Sequence, residues 1–119
     1  KLQRYEKIVL SAAKQCGRGI LPQVSPLMSF DQAAQELARH ETSIFCYEQG
    51  GDSLTSLVNP KTKDVGLLIG AEGGFDPAEA ETLARLGVPR AGLGKRILRC
   101  ETAPIAALAA IMLLTGNLE

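Results

Sequence analysis

VGLLIGAEGGFDPAEAETLAR, residues 65–85, is the stretch that decides the fold. Val65–Ile69 is a short apolar run without polar alternation, the pattern of a strand covered on both faces in a parallel sheet. Asp76-Pro77-Ala78-Glu79 is a complete helix start, with an Asp cap, Pro at the first helical position and Glu at the third. Ala80, Leu83 and Ala84 share the inward face of that helix, and Gly87 and Pro89 end it. Strand and helix are joined by Gly70-Ala71-Glu72-Gly73-Gly74-Phe75.

The flanking segments extend the same alternation. Ser43–Tyr47 (SIFCY) predicts a second covered strand, Arg90–Leu93 a weaker one, and Leu21–Val24 a short one between Gly and Pro punctuation. Ser29 with Gln32 forms a capping-box pattern that opens a helix to about Arg39. Leu2, Tyr5, Ile8, Val9, Ala12 and Cys16 recur at three and four residues, predicting a helix to about Gln15 that Gly17 stops. Glu48–Asp64 reads as a loop with one turn near Leu54–Leu57. The last element, from about Thr102 to Thr115, is apolar nearly all round and stops at Gly116. Such a helix must be buried on several sides, within its domain or against another subunit. Strand alternating with helix gives an α/β fold, a mostly parallel sheet with helices on both faces.

With 119 residues, 45% hydrophobic and 22% charged, the chain has the composition of one soluble globular domain, which excludes disordered, collagen-like and disulfide-scaffold classes. Three cysteines, Cys16, Cys46 and Cys100, make an odd number without metal-binding spacing, as expected of reduced thiols in the cytoplasm, with no metal site. The longest apolar run, Ile105–Leu114, is about half of the ~20 residues that cross a bilayer, so no membrane partner is expected. A first residue that is Lys rather than Met, with no signal-peptide pattern after it, suggests a piece of a longer protein. Formal charge is zero, but residues 1–18 carry a net of +4, residues 19–89 a net of −6 and residues 90–119 a net of +2. Two basic islands around an acidic middle leave room for an anionic partner on one face.

In open parallel sheets, ligands bind beyond the carboxyl ends of the strands. Three such ends lead into Glu48-Gln49-Gly50-Gly51, Gly70–Phe75 and Leu93–Arg99. The second resembles a phosphate cradle, but it fits neither GxGxxG nor GxxxxGK[ST], and Glu72 would repel a pyrophosphate. A carboxylate among backbone donors suits a ligand with both positive charge and hydrogen-bonding groups, such as S-adenosylmethionine; the same residues also fit a tight turn with a solvated Glu72. In the third loop Leu93, Ile97 and Leu98 alternate with Lys95, Arg96 and Arg99, with Glu101 following. Arg99 and Glu101 either pair with each other, or an arginine meets an anionic RNA group or a developing charge. His40, the only histidine, reads as a surface or helix-end residue, and the cysteines as core fillers; Cys100 stands out because it lies between Arg99 and Glu101.

Gly70–Phe75 with its acidic-capped helix, followed by Leu93-Gly94-x-Arg96-Ile97-Leu98-Arg99-x-Glu101-Thr102-Ala103, resembles the paired signature of the 16S ribosomal RNA uridine-N3 methyltransferase family, of the SPOUT class of trefoil-knotted methyltransferases. Lys7-Ile8, Ala12-Ala13, Gln15-Cys16-Gly17-Arg18 and Pro22 extend the similarity to nearly the whole chain, weakest across Gln32–Lys63. Ala71 and Lys95 stand where that family more often has Pro, and Cys100 and Pro104 where it often has Thr and a small residue.

The resemblance implies a carboxyl-terminal trefoil knot, a homodimer packed through the knotted region and last helix, and S-adenosylmethionine held bent between the three loops. Its pocket would be formed by Tyr47, Glu48, Ile69, Gly70, Glu72, Gly73, Gly74, Leu93, Gly94, Ile97, Leu98, Thr102 and Ala103. Residues 1–119 would be the carboxyl-terminal part of the catalytic domain, lacking its first strands and an amino-terminal RNA-binding β-barrel. The implied reaction is methylation of uridine N3 in 16S ribosomal RNA, with Arg99 and Glu101 catalytic and Arg18, Lys95 and Arg96 on the RNA. Two alternatives are a knotted methyltransferase acting on ribose 2′-oxygen or guanine, and a non-catalytic α/β ligand-binding module.

Overall fold

The computed structural model describes residues 1–17, 19–94 and 98–118. In chain order its elements are α1 (Leu2–Cys16), α2 (Phe30–Ala38), β1 (Thr42–Cys46), α3 (Leu54–Leu57), β2 (Val65–Ile69), α4 (Pro77–Arg85), β3 (Arg90–Ala91) and α5 (Ala103–Leu114). The strands form one parallel sheet in the order β2-β1-β3. Thr42 to Cys46 pair in register with Val65 to Ile69, and Phe45 and Cys46 pair with Arg90 and Ala91.

The sheet is covered on both faces, as the unbroken apolar runs require. Phe45, Tyr47 and Leu68 project to one side and pack with Ala34 and Leu37 of α2, Ala80 and Leu83 of α4, Phe75 and Val88. Ile44, Val65 and Leu67 project to the other, against Leu54 and Val58 around α3 and Ala110, Ile111 and Leu114 of α5. Successive strand residues thus serve opposite layers. Phe45 and Leu83 are almost wholly buried, and complete burial of such a side chain stabilises by about 1.5–3 kcal/mol. Gly66 is the one strand position that admits no side chain, because a Cβ there would lie 2.7 Å from the His40 ring and 2.9 Å from Leu37.

Helix ends follow the local sequence signals. Gly17 closes α1 in the left-handed conformation at φ 75°. Ser29 and Gln32 exchange capping hydrogen bonds at the start of α2, and Glu79 Oε1 accepts the Asp76 N–H at 2.9 Å at the start of α4. Pro104 sits in the first turn of α5, where a missing N–H costs nothing.

Two strand expectations are corrected. Leu21–Val24 forms no strand: Pro22 has no N–H to donate, Pro26 follows closely, and no described strand lies alongside. Only Arg90–Ala91 of Arg90–Leu93 joins the ladder, since Gly92 follows and Gly94 turns away at φ 96°.

At the amino ends of β1 and β2 a set of reciprocal bonds locks the strands together. Asp64 Oδ2 accepts the Glu41 N–H at 3.0 Å, and Glu41 Oε1 accepts the Lys63 and Asp64 N–H groups at 3.1 and 3.2 Å. His40 Nδ1 lies 2.8 Å from Asp64 Oδ1. That pairing holds Asp64 below the usual carboxylate range, first through the His40 hydrogen bond and then through the Glu41 N–H. His40 is therefore a partner of Asp64 just past the end of α2.

Two surfaces stay open. Ala13 is the one buried residue of α1, whose Tyr5 and Ile8 are about half exposed. In α5 the i, i+4, i+8 stripe Ala103, Ala107 and Ile111 is buried, while Ile105, Leu108 and Leu113 on the other sides are exposed. Among the described residues, no helix is long and apolar enough to cross a membrane.

Candidate functional site

Parallel strands deliver their carboxyl ends to one edge of the sheet, and a cavity of about 510 Å³ opens there. Its volume lies within the range of small-molecule sites. Cys46, Tyr47, Glu48 and Gly50 form one wall, following directly from β1. Ile69 through Gly74, following β2, form the second. Leu93, Gly94, Leu98, Arg99, Cys100, Glu101 and Ala103 supply the third.

Each wall is fixed by its own local structure. An edge-on cluster of Phe45, Tyr47 and Phe75 anchors the first two, with Phe45 and Phe75 ring centroids 5.4 Å apart at 83°. The Arg90 guanidinium lies over the Tyr47 ring at 5.5 Å and covers it from the β3 side. Tyr47 N–H donates to the Ala91 carbonyl, Asp52 N–H to that of Arg90, and Gly92 N–H to that of Asp52, so the loop after β1 is stitched to β3. Gly51 permits this, because a Cβ there would lie 2.6 Å from the Arg90 carbonyl carbon.

The glycine-rich loop turns back on itself, with Gly74 N–H donating to the Ala71 carbonyl at 2.8 Å. Gly74 has φ 73°, and a Cβ there would collide with the Glu48 carboxylate across the cavity. Before α5, the Arg99 carbonyl accepts both the Thr102 and the Ala103 N–H groups, at 3.0 and 2.9 Å, closing the turn that presents residues 99–101 to the cavity.

Among the described residues three carboxylates, Glu48, Glu72 and Glu101, and one guanidinium, Arg99, face this space beside the apolar walls of Ile69, Leu93 and Leu98. Acidic groups among backbone donors favour a ligand with a positive centre, and the apolar walls accept a ring. Among the described residues no ion pair joins Arg99 to Glu101; the Glu101 carboxylate instead accepts from Cys100 Sγ at 3.4 Å, and Glu72 accepts from the same sulfur at 3.5 Å. The Cys100 thiol is pushed above its ordinary range, first by the hydrogen bond to Glu101, then by desolvation and by Glu72. Burial alone pushes Cys46 in the same direction.

The structure gathers Tyr47, Glu48, Ile69, Gly70, Glu72, Gly73, Gly74, Leu93, Gly94, Leu98, Arg99, Glu101 and Ala103, all singled out from sequence, around this one cavity. Thr102 is not on its wall; the residue is exposed and contributes its N–H to the Arg99 turn. Arg18, Lys95, Arg96 and Ile97 lie outside the described residues. Cys46, Gly50, Ala71 and Cys100 line the cavity without having been assigned to it. Cys46 and Gly50 were recognisable as neighbours of the β1 end, and Cys100 by its place between Arg99 and Glu101. Among the described residues no group of three or more His, Cys, Asp or Glu is arranged to hold a metal ion.

A family model described as an RNA methyltransferase domain matches residues 1–112. Ribosomal RNA small subunit methyltransferase E of Bacillus subtilis is 37% identical over 118 residues, covering 93% of this chain and 46% of that protein. The protein of the same name from Buchnera aphidicola subsp. Acyrthosiphon pisum is 30% identical, covering all of this chain and 47% of its own length. The crystal structure of ribosomal RNA small subunit methyltransferase E from Neisseria gonorrhoeae bound to S-adenosyl methionine aligns with TM-score 0.83 and 32% identity, over 95% of this chain and 47% of that one. The chain thus spans about half the length of these relatives.

Proposed function

The chain belongs to the RNA methyltransferase domain family, and on that premise we propose that it binds S-adenosylmethionine and serves in methylation of uridine N3 in 16S ribosomal RNA. The observation that carries this reading is the cavity itself, where three strand ends bring Glu72, Arg99 and Glu101 together with apolar walls. Its donor set fits the cofactor: carboxylates for the sulfonium and amino groups, loop backbone and Tyr47 for the polar edge of the nucleoside, and Ile69, Leu93 and Leu98 for the adenine face. The crystallised Neisseria relative with S-adenosyl methionine supports the same ligand.

When bound, the cofactor supplies a methyl group on a cationic sulfur that departs as a neutral thioether. The chain's residues have two further tasks. Uridine N3 must come into line with that methyl group, and its imide proton must leave. Arg99 faces the charge that then spreads to the pyrimidine oxygens, as a positioned cationic donor. Glu101 accepts the proton or orients Arg99. Arg18, Lys95 and Arg96 hold the RNA backbone, and the target base leaves its stack to enter the cavity.

In this reading the segment after β3 is threaded as a trefoil knot, and two copies pack through α5, whose exposed Ile105, Leu108 and Leu113 require a cover. The chain spans about half the length of these relatives, and in this reading it supplies the carboxyl-terminal part of the catalytic domain. The enzyme works in the cytoplasm, where its ribosomal substrate is assembled. Mass spectrometry of 16S ribosomal RNA nucleosides from cells lacking the gene tests the proposal. Loss of N3-methyluridine is expected; loss of a 2′-O-methyl nucleoside or a methylguanosine instead would move the assignment to another member of the knotted class.

A further inference from the structure

We propose that Cys100 is a positioning residue of the cofactor cavity, its thiol tying the glycine-rich loop to the turn before α5 by sharing one proton between Glu72 and Glu101. The proposal rests on the cofactor reading above. Cys100 Sγ lies 3.5 Å from Glu72 Oε1 and 3.4 Å from Glu101 Oε2, and all three residues line the same cavity. Glu72 and Cys100 are 28 residues apart in sequence, so this contact joins two walls that the backbone does not connect locally. An ionised carboxylate can only accept, and between two acceptors only a protonated group can serve as a bridge. A thiolate would place a third negative charge at the same point, and the raised Cys100 pKa agrees with a thiol held in its donor form. Without the donor, Glu72 and Glu101 face each other across the cavity as like charges, and the loop loses its hold on the turn that carries Arg99. Cys46 lines the same cavity, but burial alone governs its thiol, so the bridging role falls to Cys100.

The test is S-adenosylmethionine affinity by calorimetry, with the full-length protein, for wild type, Cys100→Ala, Cys100→Ser, Glu72→Ala and the Cys100→Ala/Glu72→Ala pair. A hydrogen bond of this type is worth on the order of 1 kcal/mol net, so Cys100→Ala should weaken binding about three- to tenfold. Cys100→Ser keeps a donor and should bind within about twofold of wild type, and Cys100→Ala should cost less on the Glu72→Ala background, where only the Glu101 bond remains to be lost, than in wild type. Wild-type affinity in Cys100→Ala, equal losses in the Ala and Ser variants, or fully additive losses in the pair would each overturn the proposal. A second measurement needs no cofactor: iodoacetamide labelling of Cys100, followed by mass spectrometry against the exposed Cys16. Cys100 should react more slowly than Cys16 and speed up in Glu72→Ala; equal rates, unchanged by that substitution, contradict the bridge. A wild-type protein that binds no S-adenosylmethionine would sink the cofactor reading, while the labelling rates would still decide the link between Cys100 and Glu72.

Discussion

Glu48 and Gly74 meet across the mouth of the cavity, the carboxylate occupying the place where any side chain at position 74 would begin. A Cβ at position 74 would push aside the Glu48 carboxylate, the movable end of its side chain, and the left-handed backbone there, at φ 73°, favours glycine. Gly74→Ala forces a left-handed conformation on a residue with a Cβ, at about 1–2 kcal/mol, and pushes Glu48 out of the wall. We expect S-adenosylmethionine affinity to fall more than tenfold by calorimetry, with only partial recovery in Gly74→Ala/Glu48→Ala. Unchanged affinity in Gly74→Ala would refute the role given to this contact.

Arg99 reaches the cavity from a turn built by its own carbonyl, so truncating the side chain leaves the turn intact. Arg99→Ala should lower methyl transfer to 16S ribosomal RNA by roughly 10²-fold or more, the scale for removing one preorganised charge-stabilising group. Cofactor affinity should change less than about threefold. Parallel losses in turnover and cofactor affinity would reassign Arg99 to binding.

Asp64 is held below the usual carboxylate range by the His40 hydrogen bond and the Glu41 N–H. A depressed folded-state pKa contributes stability above the unfolded value of about 3.9, and that contribution is lost as pH falls through the lower folded value. Asp64→Asn should accordingly lower Tm at neutral pH, with the gap to wild type narrowing as pH drops below about 4. A gap that persists unchanged into strong acid would show that geometry rather than charge underlies it.

Ile105 is 71% exposed on α5, opposite the stripe of Ala103, Ala107 and Ile111 that packs inward. If α5 covers a second copy, Ile105→Glu places a charge in that interface without touching the core. Sedimentation velocity should then show the variant shifted from dimer toward monomer while its circular dichroism stays that of wild type. A dimer that persists in the variant would remove α5 from the contact.

Elements whose residues report on their nearest neighbours were readable from sequence. Val65–Ile69 is a strand at the bounds its apolar run gives, Leu54–Leu57 is the single turn expected, and the Ser29 and Asp76 caps open α2 and α4. The meeting of the three loops followed as well, because parallel strands leave their carboxyl ends on one edge. Leu21–Val24 failed because an apolar run next to prolines specifies a strand only when a partner edge is available, and pairing is not a local property. The contacts between Glu48 and Gly74, Glu72 and Cys100, and His40 and Asp64 were illegible for the same reason. Each depends on which strands pair, and the first and last on the register that sets Cys46 beside Ile69 and Thr42 beside Val65, which no window of neighbouring residues encodes.

The sheet's single direction has a consequence for how this protein tolerates change. The Glu41, His40 and Asp64 lock lies at one pole of the strands, and the cavity with Glu72, Arg99 and Glu101 lies at the other. A saturation scan scored separately for cellular abundance and for RNA modification should split along the strand axis. Substitutions at the lock would deplete the protein, and those at the cavity would leave it abundant and idle. That separation makes the cavity the place where new specificity can be selected without first repairing the scaffold.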